Sequence, residues 1–118
     1  MQPAARRDED GPAGASVPPL SCALDAEGQA RQRARYRRVA PAVAKMERRR
    51  ALLVVDFAPD LDRATLTELL AVERECCPFL SLRFNERSRR LRVGVRDLEA
   101  AVALDAIAGL LSPDAAVA

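Results

Sequence analysis

Apolar positions recur along this chain with two different periods. From about Ala26 to Met46 helix formers dominate, and Tyr36, Val39, Ala40, Val43 and Met46 fall three and four apart. That spacing predicts an amphipathic helix with its arginines on the other face, kinked or divided at Pro41. Asp25 is placed to cap its start, and Arg48-Arg49-Arg50 puts positive charge where a helix C-terminus favours it. The run from Ala51 to Phe57 is apolar and β-branched and is bounded by Ala58-Pro59-Asp60, which predicts a central strand. Asp62 then reads as the cap of a second helix over about Arg63 to Cys76, with Leu61 and Leu66 in the relation of a hydrophobic staple. After Pro78 the period becomes two: Leu80, Leu82 and Phe84 alternate with polar residues, as do Leu91, Val93 and Val95. These runs, joined by Asn85 to Arg89, predict a hairpin with one apolar and one arginine-bearing face. Asp97 caps a last helix whose packing surface is Leu98, Ala101, Val102, Leu104, Ile107, Ala108 and Leu111.

The order of these elements predicts an α+β fold, a small mainly antiparallel sheet covered on one face by helices and related as a layer to the ferredoxin-like plait. Residues 1–19, rich in proline and charge, read as a disordered arm, 20–112 as a single domain and 113–118 as a tail. Leu20 to Leu24 alternates around Cys22 and reads as a short lead-in strand. If Leu53, Val55 and Phe57 face the helices, Leu52 and Val54 form an apolar strip on the outer face, which suggests pairing into a homodimer.

Composition narrows the chemistry. The chain has 118 residues, 49% hydrophobic but only 3% aromatic and with no Trp, so Leu, Val and Ala must build the core. No apolar run approaches the roughly 18 residues of a membrane span, and the start lacks an apolar leader, so the expected location is cytoplasmic. Arg31 to Arg50 holds nine basic residues against Glu47, a net +8, so the remainder carries −6 of the chain's +2. Such a stripe can contact nucleic acid, although a solvated face is the commoner outcome. There is no histidine, which removes Cys-His and Ser-His-Asp catalysis and mixed Cys/His zinc sites. No phosphate loop or nucleotide fingerprint is present, so no nucleotide cofactor is expected.

What remains is thiol chemistry. Cys76 and Cys77 are adjacent at the exit of the second helix, and Glu73 shares the face of Leu66, Leu69 and Leu70 with them. Pro78 disfavours helical geometry at Cys77, so the pair sits in the exit turn. Thiolates select soft metal ions, but a helix C-terminus disfavours an anion, so Arg74 or the metal would have to compensate. Neighbouring side chains diverge, so Cys22 is the candidate third ligand and Glu73 a weak ligand, a second acceptor or a proton donor. The plain alternatives are buried cysteines that only pack and a Glu73 paired with an arginine such as Arg83 or Arg92.

The stretch Glu73-Arg74-Glu75-Cys76-Cys77-Pro78-Phe79-Leu80, with Ser21-Cys22-Ala23-Leu24 upstream, resembles a group of small, mostly uncharacterised bacterial proteins that carry a Cys-Cys-Pro-Phe motif. Some members sit near mercury or other heavy-metal resistance genes, and the resemblance, over residues 20 to 111, implies a soft-metal association through Cys22, Cys76, Cys77 and Glu73. The resulting expectation is a cytoplasmic thiolate-binding protein for Hg(II), or for Cu(I), Zn(II) or arsenite, acting as buffer, carrier or resistance accessory. Its partners would be a metal ion or a thiol ligand. A thiol enzyme for redox or carbon–metal bond cleavage is the alternative from another class: organomercurial lyases combine two cysteines with a carboxylate, in a different order and spacing. An arginine-rich adaptor or nucleic-acid module is the third.

Overall fold

A computed structural model describes residues 24–112, arranged as α1 (Ala26–Val39), a 3₁₀ turn (Ala40–Ala42), β1 (Val43–Arg48), β2 (Leu52–Phe57), α2 (Arg63–Cys76), β3 (Leu80–Asn85), β4 (Arg90–Val95), a second 3₁₀ turn (Leu98–Ala101) and α3 (Val102–Leu111). The expected arm over 1–19, the lead-in strand up to Ala23, Cys22 itself and the tail lie outside the described residues; Leu24 has no strand geometry. The four strands form one sheet of order β1-β2-β4-β3, and every neighbouring pair is antiparallel. It is an α+β layer as expected, although the strand order is that of two hairpins laid side by side and joined by α2.

The first long element departs from its sequence reading. The helix ends at Val39, and residues 43–48 form an edge strand instead of continuing it. Val43 pairs with Phe57 and Met46 with Val55, while the intervening register slips by one residue at Ala44. This is a β-bulge, in which one strand carries an extra residue. The bulge puts Val43 and Met46 on the same side of the strand at a spacing of three, the spacing that imitates a helical turn. Sheet pairing overrides helix propensity here because β2, apolar on both sides, would otherwise have an open backbone edge. Arg48-Arg49-Arg50 therefore opens the turn between two strands and does not close a helix.

The remaining elements follow their local signals. Asp25 accepts from the Gly28 amide at 2.7 Å and Asp62 from the Thr65 amide at 3.1 Å, both as N-caps. Asp97 caps the 3₁₀ turn ahead of α3 through the Glu99 amide. Leu53, Val55, Phe57, Leu80, Leu82, Leu91, Val93 and Val95 point to the helices and are buried with Tyr36, Val39, Leu66, Leu69, Leu70, Leu104, Ile107 and Leu111. Two residues expected to pack do not: Leu98 and Val102 are 47% and 61% exposed, because the 3₁₀ turn rotates the start of the segment away from the sheet. On the outer face Val54 is buried and Leu52 half-buried beside Lys45, Glu47, Arg49, Arg90 and Arg92, around a groove of about 180 Å³. The expected apolar strip is thus narrowed by long charged side chains of the same chain, with Leu52 still half-buried. No helix among the described residues is long and apolar enough to cross a membrane.

Candidate thiol and carboxylate site

α1 and α2 pack antiparallel, and polar contacts fix their register. Late in α1, Arg38 Nε lies 2.7 Å from Asp62 at the start of α2. One turn earlier, Arg35 lies 3.8 Å from Glu68. Gln32 Nε2 donates to the Leu69 carbonyl and to Glu73 Oε2, each at 3.0 Å. The start of α1 therefore runs beside the end of α2, where the thiols are.

Glu73 is the most deeply placed charged-type residue described, with 1% of its surface exposed. Its Oε2 accepts from Gln32 and, at 2.8 Å, from the Tyr36 hydroxyl. Arg35 donates to Gln32 Oε1 at 2.8 Å, which orients that amide so that its NH₂ faces the carboxyl group. Oε1 has no donor at ordinary hydrogen-bond geometry among the described residues; the Cys77 thiol acts on the same carboxyl as a weak sulfur donor. Burial raises the Glu73 pKa above the ordinary carboxylate range, and the Gln32, Tyr36 and Cys77 hydrogen bonds oppose that rise without cancelling it. Burial also lifts the Tyr36 phenol well above its usual value, helped by the nearby Glu73 charge, so Tyr36 stays a donor. The expected pairing of Glu73 with Arg83 or Arg92 does not occur, because both arginines stand on the opposite face of the sheet, with Ser81 and Asn85 beside Arg83.

The last α2 bond runs from the Cys77 amide to the Glu73 carbonyl at 2.8 Å. Cys77 itself has left helical geometry, with φ −129° and ψ 72°, as a residue before proline is biased to do. Its carbonyl accepts from the Leu80 amide at 3.0 Å, closing the Cys-Pro-Phe-Leu turn into β3. Cys76 is 5% exposed and Cys77 fully buried, and neither is in a disulfide. Arg74, expected to compensate a thiolate, donates instead to the Leu82 carbonyl at 3.0 Å and so ties the helix exit to β3. Phe79 is 42% exposed on the outside of the turn.

The structure thus places Cys77 beside Glu73, with Cys76 buried next to it in sequence at the last position of α2, whereas Cys22 lies outside the described residues. Among those residues no three Cys, Asp or Glu side chains are grouped to hold a metal ion. Gln32 and Tyr36 are site residues that sequence reasoning missed as such. Tyr36 was legible only as part of an apolar stripe, and the burial of Gln32 arises from the α1–α2 pairing, which no local pattern reports. A comparison of the chain with protein-family profiles, with curated proteins and with solved structures finds no match in any of the three.

Proposed function

We propose that this protein binds a thiophilic metal ion, with Hg(II) first and Cu(I), Zn(II) or arsenite behind it, as a buffer, carrier or resistance accessory. The observation that carries the reading is the antiparallel packing of α1 on α2. Gln32 and Tyr36 hold Glu73 one turn before Cys76-Cys77, and the start of α1, four positions after Cys22, lies at that same end. Adjacent thiolates chelate one ion poorly by themselves, so a ligand from a separate segment is what such a pair requires, and Cys22 is the chain's one remaining thiol. Glu73 serves as the acceptor beside Cys77, because its Oε2 is already committed to Gln32 and Tyr36. The burial of both thiols means that loading needs the Cys-Cys-Pro-Phe turn to move aside.

The test is a titration of the fully reduced protein with Hg(II) against a competing small thiol, read by intact mass and by ultraviolet thiolate-to-metal absorption, with Cys22→Ser, Cys76→Ser and Cys77→Ser in parallel. One tight equivalent that weakens in all three variants is the expected result. Affinity no better than that of free thiols returns the cysteines to a packing role. Turnover of an organomercurial lost in Cys76→Ser or Cys77→Ser would move the reading to the enzyme class.

A further inference from the structure

The outer face of the β3–β4 hairpin has a charge arrangement that the thiol site does not explain. In its register Ser81 stands opposite Gly94, Arg83 opposite Arg92 and Asn85 opposite Arg90. All six lie on the side of the sheet that the helices leave uncovered, and Arg83 and Arg92 are both exposed. Like charges directly opposite on neighbouring strands repel, so this pair costs the free fold stability. The carboxylates of the open face stand on β1 and β2 and are already engaged: Glu47 lies 3.1 Å from Arg49, and Asp56 lies 2.7 Å from Arg90 across on β4. Arg83 and Arg92 have no ion pair among the described residues. Beside them the floor is low, since Gly94 has no side chain and its partner is the small Ser81; a Cβ at Gly94 would already stand in ordinary contact with the Ala51 carbonyl oxygen at 3.7 Å.

We infer that this hairpin face docks a carboxylate-rich extended segment of a partner protein, with Arg83 and Arg92 as its paired anchors. The guanidinium fork matches a carboxylate in two parallel hydrogen bonds, and the low Ser81/Gly94 floor admits a main chain beside the anchors. Charge complementarity selects this occupant over the others. A small free anion on so open a surface gains little, because solvent screens each exposed pair, whereas a segment carrying several carboxylates sums them. A nucleic-acid strand would look for aromatic stacking platforms, and this face has none. A duplex, being broader, would meet Glu47 and Asp56 on the adjoining hairpin. A second copy would set arginine against arginine.

The test is fluorescence anisotropy of a labelled poly-glutamate peptide at low ionic strength, using the full chain, Arg83→Gln/Arg92→Gln, and Arg33→Gln/Arg37→Gln as a control that removes equal charge from exposed positions of α1. The hairpin variant should bind roughly tenfold more weakly, the scale of two exposed ion pairs, while the α1 variant binds nearly as the wild type does. In the absence of peptide, Arg92→Thr should raise the melting temperature, because the opposed charges are gone and Thr suits a strand. Equal losses in the two double variants, or no loss in either, would overturn the inference. So would duplex DNA displacing the peptide at concentrations below those at which unlabelled poly-glutamate does.

Discussion

Glu73 is an acid held in an apolar layer, and its environment turns protonation into a stability term. Because burial raises its pKa in the folded chain above the ordinary 4.5, the native state keeps this proton to a higher pH than the unfolded state does. The stability that follows is fully present below about 4.5 and is lost as pH rises through the elevated native value. Glu73→Gln should therefore flatten the decline of urea midpoint with rising pH above that point. A decline equally steep in the variant would assign it to another group. Asp62 has the opposite sign. The Thr65 amide, with Arg38 and the Thr65 hydroxyl, holds its carboxyl down at about 2 against an ordinary 3.8. Its contribution is present above 3.8 and disappears as pH falls toward about 2. Asp62→Ala should lower the melting temperature at neutral pH and lose less on acidification over that interval.

At the scale of elements, most of the structure was legible because its signals are local. The caps Asp25 and Asp62, the break before Pro78 and the alternation in β3 and β4 each depend on residues a few positions apart, and each is where the pattern put it. The segment Val43 to Arg48 was not legible, since a bulged strand and a helix share the spacing of three between Val43 and Met46. Only the presence of β2 alongside distinguishes them. If pairing with β2 is what ends α1, Pro41→Ala should leave the far-ultraviolet circular dichroism unchanged. A gain of helical signal would instead make the proline the stop. The same lesson applies to Leu98 and Val102, whose helical spacing suggested packing that a 3₁₀ turn withdraws.

For the molecule as a whole, the thiol pair is enclosed by the packing of two helices and a turn. Cys76 and Cys77 should therefore react slowly with an aromatic disulfide reagent in Cys22→Ser protein, and the rate should rise in urea well below the unfolding midpoint. Two thiols that react at once in native buffer would show the turn to be open, and metal loading would then need no movement. The sequence by itself determined the α+β class, the ends of α2, the hairpin, and the placing of Glu73 and Cys77 one turn apart at the helix exit, because all of these follow from periodicity and from backbone chemistry within a few residues. Tertiary structure alone decided that residues 43–48 are a strand, that Gln32 and Tyr36 hold the carboxyl group, and that Arg83 and Arg92 stand opposed with no ion pair among the described residues. Each of these depends on which segments meet, and the free energy of such meetings comes from burial and pairing between residues far apart in the chain.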